Sequence, residues 1–211
     1  EIYKRDGCDV IRLTENDDVT SVTGLEKALK GVRSPNCLLG ASIPCTGGSS
    51  WQNINKHKPG GPERIRQHKN KFRRIWASFL IVARECQKYG GKIAIEWPRK
   101  CEYWKWDSVS SFVLDQKLTK VKIDGCAVGL TDEEGTPMRK GWTIATDEPC
   151  IANMFDGLQC PGKAVHPNQR KVEGKYTLET ERYTDDMVSL IHKAWKRASR
   201  RNNKSPEQSK D

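Results

Sequence analysis

No apolar stretch of this 211-residue chain approaches the ~20 residues of a membrane-spanning helix, which excludes a helical membrane protein. A hydrophobic signal segment is also missing, so the eight cysteines do not read as the disulfide framework of a small secreted domain. Cys37, Cys86 and Cys126 lie in or beside apolar runs, as reduced core cysteines do, and an intracellular, reducing compartment (nucleus or cytoplasm) is expected. There is no internal repeat. There is no initiating Met either: the chain begins at Glu1 and is expected to be a piece of a longer protein. Acidic residues are in deficit, 27 against 37 Lys+Arg, and the resulting +10 with a pI near 9.2 points to a polyanionic partner.

That charge is not evenly spread. Seven basic and two acidic residues follow from Lys193 onward, and residues 200–211 read as a basic disordered tail. Much of the rest lies in Arg64-Ile65-Arg66-Gln67-His68-Lys69-Asn70-Lys71-Phe72-Arg73-Arg74. Alone, such a run is commonly a solvated helix face; close behind a candidate nucleophile loop it suggests phosphate contacts, with Arg66, Lys69 and Arg73 as the named candidates.

Periodicity predicts alternating strands and helices, hence an α/β domain over residues 1–199 with a mainly parallel sheet. Strands are expected at Val10–Leu13, Leu38–Ile43, Lys92–Ile95, Val121–Val128 and Trp142–Ala145. Helices are expected at Gly24–Lys30, through the stripe Phe72, Ile75, Trp76, Phe79, Leu80 and Ala83, around Ser108–Gln116, and after Thr184-Asp185-Asp186. Gly90-Gly91 stands where a left-handed helix cap is usual. Residues 49–62 read as a long loop, of a length that is usually functional or mobile.

Two strand ends carry candidate chemistry. The first apolar run feeds Ala41-Ser42-Ile43-Pro44-Cys45-Thr46-Gly47-Gly48-Ser49, and about fifty residues later Lys92-Ile93-Ala94-Ile95 ends in Glu96-Trp97-Pro98-Arg99. A cysteine in a Gly/Ser loop and a lone carboxyl, both at strand ends, suit a thiolate nucleophile with a proton donor. Taken singly, such a Cys is commonly a small core residue and such a Glu a capping or ion-pair residue. Trp97, Tyr103, Trp104 and Trp106 follow at once; they could stack on a base or pack a loop over the sheet. Cys160 and His166, with Cys150 or Cys126, could offer zinc ligands, but the spacings match no standard module and no metal is assigned.

Pro44-Cys45-Thr46-Gly47-Gly48-Ser49 resembles the Pro-Cys-x-x-x-Ser nucleophile loop of DNA cytosine-5 methyltransferases. Ile95-Glu96-Trp97-Pro98-Arg99 is similar to their Glu-Asn-Val or Glu-Asn-Pro strand end, and Asp17-Asp18-Val19-Thr20 to their Gly-Asp-Ile-Thr turn. Gly135-Thr136-Pro137-Met138-Arg139-Lys140 resembles their Gly-x-Pro-Gln-x-Arg segment, as in small phage-type members. Order and spacing agree from Asp17 to Ala145. The resemblance implies a Rossmann-like methyltransferase sheet, possibly without its N-terminal strand, and methyl transfer from S-adenosylmethionine to cytosine C5 in DNA. It implies Cys45 as nucleophile, Glu96 as acid, Asp18 and Pro44 as cofactor contacts, and Ser49, Arg99, Arg139 and Lys140 on the nucleic-acid side. RNA stays open beside DNA as the substrate.

The sequence departs from the family at several points. The Phe-x-Gly-x-Gly strand and turn is not found before Asp18. The Asn that braces the Cys loop is Trp97, and Met138 replaces the Gln. These departures keep two other readings open: an inactive, methyltransferase-like nucleic-acid-binding domain of a mobile-element polyprotein, and a zinc-stabilised interaction module.

Overall fold

A computed structural model describes residues 8–172 and 176–204. The chain is α/β and divides into two compact units.

One unit spans Ile11–Leu118 with Ala145–Asp147. Its helices are α1 (Val22–Val32), α2 (Gln52–Asn55), α3 (Gly61–Lys88) and α4 (Asp107–Asp115), and its strands β1 (Leu38–Ala41) and β2 (Lys92–Pro98). The Ser21 hydroxyl accepts from Gly24 N–H at 3.1 Å and starts α1. Gly24 is needed there, because a Cβ would lie 2.1 Å from the Asp17 carbonyl. Left-handed Gly60, then Pro62 and Glu63 in the first turn, opens α3. Its apolar residues recur every three or four positions and bury Phe72, Trp76, Phe79, Val82, Ala83 and Cys86. Left-handed Gly90 follows its end, as the sequence predicts.

β1 and β2 pair in parallel, from Leu38 opposite Lys92 to Ala41 opposite Ile95. Ile93, Ile95 and Trp97 enter a core with Phe72, Trp76, Phe79, Val109, Phe112 and Val113, each large side chain worth about 1.5–3 kcal/mol on full burial. A smaller cluster seats Ala28 and Val32 of α1 on Val82 and Cys86 of α3. Val10–Leu13, expected as a strand, is not one: Ile11 is 59% exposed and the segment pairs with no strand among the described residues. Inside the expected loop 49–62, Ser49–Asn55 is wound into a turn and the short α2.

The other unit holds, among the described residues, 8–10, 119–144, 148–172 and 176–204. It contains β3 (Thr119–Asp124), β4 (Met138–Arg139), β5 (Gly141–Thr146), α5 (Pro149–Phe155), β6 (Arg170–Lys171), α6 (Tyr176–Glu179) and α7 (Asp185–Lys204). β4 and β6 pair in parallel. β5 begins in this unit, and its last residues, Ala145 and Thr146, belong to the other. At its far end the Thr146 hydroxyl donates to the Ile93 carbonyl at 2.6 Å, and Asp147 accepts from Ile93 N–H at 2.6 Å.

α7 packs on α5 and buries Met187, Val188, Ala194 and Ala198. Contrary to the expected tail beginning at residue 200, α7 continues to Lys204. Arg201 explains part of this, donating to both oxygens of the fully buried Glu148 at 3.0 and 3.3 Å. Residues 205–211 of that expected tail lie outside the described residues. No helix among the described residues is long and apolar enough to cross a membrane.

Candidate functional site

Because β1 and β2 are parallel neighbours, residues 42–45 and Glu96 emerge at the carboxyl ends of adjacent strands, the usual ligand side of such sheets. The alternation of β2 sends Ile93, Ile95 and Trp97 into the core and leaves Ala94, Glu96 and Pro98 half-buried on the other face. The Ser42 hydroxyl donates to Glu96 Oε2 at 3.1 Å, tying the carboxylate to the start of the Cys loop.

Cys45 is half-buried and begins a tight 3-10 turn over Thr46–Gly48, with Gly48 N–H donating to its carbonyl at 2.9 Å. The two glycines are there for close approach. A Cβ on Gly47 would lie 2.5 Å from the Tyr103 hydroxyl, and one on Gly48 2.9 Å from the Tyr103 ring and 3.0 Å from Cys101 Sγ. Trp97 supplies a brace: its buried indole N–H donates to the Ile43 carbonyl at 2.7 Å, two residues before Cys45.

The sulfur's own partner is Cys101, which sequence reasoning did not single out. The hydrogen bond to Cys45 and then burial push the Cys101 thiol far up, so Cys101 keeps its proton and can donate to a Cys45 thiolate. Tyr103 is fully buried beside the pair, and burial raises its phenol. Its hydroxyl has no hydrogen-bond partner among the described residues. The available signal was a second cysteine five residues after Glu96.

The aromatics after Glu96 mostly pack. Trp97, Tyr103 and Trp104 are buried, and Tyr103 stacks on Phe72 with centroids 3.7 Å apart. Trp106 is half-buried, with Arg73 over its ring at 4.9 Å.

The remaining candidates are dispersed. Asp18 Oδ1 accepts from Thr20 N–H at 3.1 Å and Thr20 Oγ1 at 2.7 Å, and these bonds lower its carboxyl. Pro44 is exposed beside Cys45. The Ser49 hydroxyl accepts from Trp51 N–H at 3.3 Å. Arg66 and Arg73 are exposed and Lys69 half-buried on α3. Arg66 pairs with Glu63 at 2.5 Å and Arg73 donates to Asn70 at 2.8 Å. Arg99 follows β2, half-buried. Arg139 and Lys140 belong to the other unit. There Arg139 lies 3.7 Å from buried Asp124, while Lys140 donates to the Thr180 carbonyl at 2.5 Å and sits over Trp142 at 5.3 Å.

That unit also gathers Cys126, Cys160 and His166, whose ligand atoms all lie within 4.8 Å of one another. Cys150 is not in the group. It starts α5, where its N–H donates to Glu148 at 2.9 Å.

Compared with known family models, curated proteins and solved structures, the chain has no match.

Proposed function

We propose that the Cys45 unit engages a pyrimidine base as part of a DNA cytosine-5 methyltransferase-type enzyme with a Rossmann-like sheet. The observation that carries this reading is the delivery of Cys45 and Glu96 to the carboxyl ends of two adjacent parallel strands. Trp97 occupies the position of the family's bracing Asn and holds the same loop.

S-adenosylmethionine is the methyl donor this resemblance implies, but the described residues do not fit it. Asp18, the carboxylate it assigns to the cofactor, already accepts both the N–H and the hydroxyl of Thr20. No step below therefore runs through that cofactor.

What this chain's own residues can do is activate the base. A target cytosine is single-stranded or extruded from its duplex. Cys45 thiolate adds to C6, forming the C–S bond and moving the ring electrons towards C5, while Glu96 as carboxylic acid protonates N3. Cys101 S–H is placed to donate to that thiolate before attack. C5 then takes a proton from water. Loss of the original C5 hydrogen, expulsion of the thiolate and return of the N3 proton to Glu96 restore cytosine.

This cycle needs no methyl donor and is read as tritium release to water from oligonucleotides carrying 5-tritiated cytosine. Release above background is expected, Cys45→Ser abolishes it, and Glu96→Gln slows it by about 10²–10⁴. If no cytosine context in DNA or RNA loses tritium while the oligonucleotide still binds, the enzyme reading falls. The second reading, a nucleic-acid-binding relative within a mobile-element polyprotein, then replaces it. The exposed cations of α3 favour that alternative.

A further inference from the structure

The segment 157–169, between α5 and β6, has little apolar reason to be ordered. Val165 is 63% exposed, and Pro161, Lys163, Ala164, Pro167 and Asn168 are exposed too. Polar contacts shape it instead: Cys160 N–H donates to the buried Asp124 at 3.0 Å, and His166 N–H to the Gly162 carbonyl at 2.9 Å. These bonds present Cys160 and His166 on the same side as Cys126, in the 3-10 turn after β3. Cys160 Sγ and His166 Nδ1 are 3.7 Å apart, and Gln169 Nε2 donates to both sulfurs at 3.1 Å.

We propose that Cys126, Cys160 and His166 bind a zinc ion, with water or the Gln169 amide oxygen in the fourth position.

Two thiolates and an imidazole are a soft donor set that suits zinc and not magnesium or calcium. Tetrahedral zinc with bonds of about 2.3 Å to sulfur and 2.0–2.1 Å to nitrogen holds its ligands about 3.5–3.8 Å apart. The Cys160–His166 separation already has that value, and the other pairs need to close by no more than about 1 Å. Gly162 N–H also donates to Cys160 Sγ at 3.4 Å, and both thiols give up their protons when the metal arrives. An amide's oxygen and nitrogen can exchange places by a flip, so Gln169 can turn its acceptor to the ion. His166 also lines a shallow depression with Glu134, Thr136 and Pro137, which leaves a path for entry.

Full-length protein, reduced and stripped of metal, is titrated with Co²⁺ and then Zn²⁺. A thiolate-to-cobalt charge-transfer band saturating at one equivalent and bleached by zinc is expected. Cys126→Ser, Cys160→Ser and His166→Ala should each weaken binding by more than the 10–100-fold typical of losing an outer-shell partner. Cys150→Ser and Cys45→Ser should leave it unchanged. If a ligand variant fails to fold, alkylation mapping of the wild-type chain decides: zinc should protect Cys126 and Cys160 selectively. Absence of the band, retention of it in a Cys126→Ser/Cys160→Ser double variant, or protection of other cysteines instead would overturn the site. This outcome is independent of the Cys45 reading.

Discussion

Trp97→Phe separates the brace of the Cys loop from the ring that carries it. The indole is 1% exposed and its N–H holds the Ile43 carbonyl at 2.7 Å. Phenylalanine keeps an aromatic ring in the core but strands that carbonyl, at a cost of about 1–3 kcal/mol. The roughly 40 Å³ vacated adds about 1 kcal/mol at about 24 cal/mol per Å³ of cavity. A loss of about 2–4 kcal/mol follows. With a urea dependence of about 2 kcal/mol per M, the unfolding midpoint should fall by about 1–2 M. The loop should feel it as well. With Ile43 released, Cys45 should alkylate faster in native buffer, while Cys86, buried elsewhere in the core, should not. Midpoints within about 0.3 M of each other together with an unchanged Cys45 rate would refute the bracing role.

Tyr103→Phe removes a buried hydroxyl that has no hydrogen-bond partner among the described residues, so thermal stability should hold or rise; a clear fall would mean the hydroxyl has a partner. Because burial raises the Tyr103 phenol above its ordinary value of 10.0, its contribution to stability is full below that pH and is lost as pH rises beyond it. Wild-type unfolding midpoints should therefore fall above about pH 10 more than those of the Phe variant. Arg201→Ala leaves buried Glu148 without this cation; since Arg201 is 50% exposed, about 1–2 kcal/mol is expected, read by thermal unfolding. Neutralising Arg66, Lys69 and Arg73 together should reduce the slope of log affinity against log salt for DNA by up to about 3, and an unchanged slope would remove α3 from the interface.

The elements that local pattern controls were legible. α3 follows from its 3.6-residue apolar spacing, its end from Gly90, and β2 from a short apolar run closed by Glu96 and Pro98. α5 was not legible, because Pro149 reads as a breaker although it is tolerated in a helix's first turn. Val10–Leu13 has strand composition but no ladder to join. The Cys loop and Glu96 were expected at strand ends from the apolar runs before them, and the structure makes those two strands parallel neighbours. The Cys101 contact was not foreseeable, since it arises from the turn that brings the chain back after β2. Cys126 was one of two candidates beside Cys160 and His166, and folding across the 34 residues between it and Cys160, not spacing, brings it rather than Cys150 to them.

The 28 residues of α3 make a rod of about 42 Å, yet its cations from Arg64 to Arg74 occupy only about 15 Å of it. At 3.4 Å per phosphate along one strand, that length matches a footprint of about four or five nucleotides. If, as proposed, these cations hold nucleic acid, so short a footprint gives a salt-sensitive grip with little power to discriminate one sequence from another. On that reading, any preference for a particular base would have to be exercised away from these cations, at the strand ends beside Cys45.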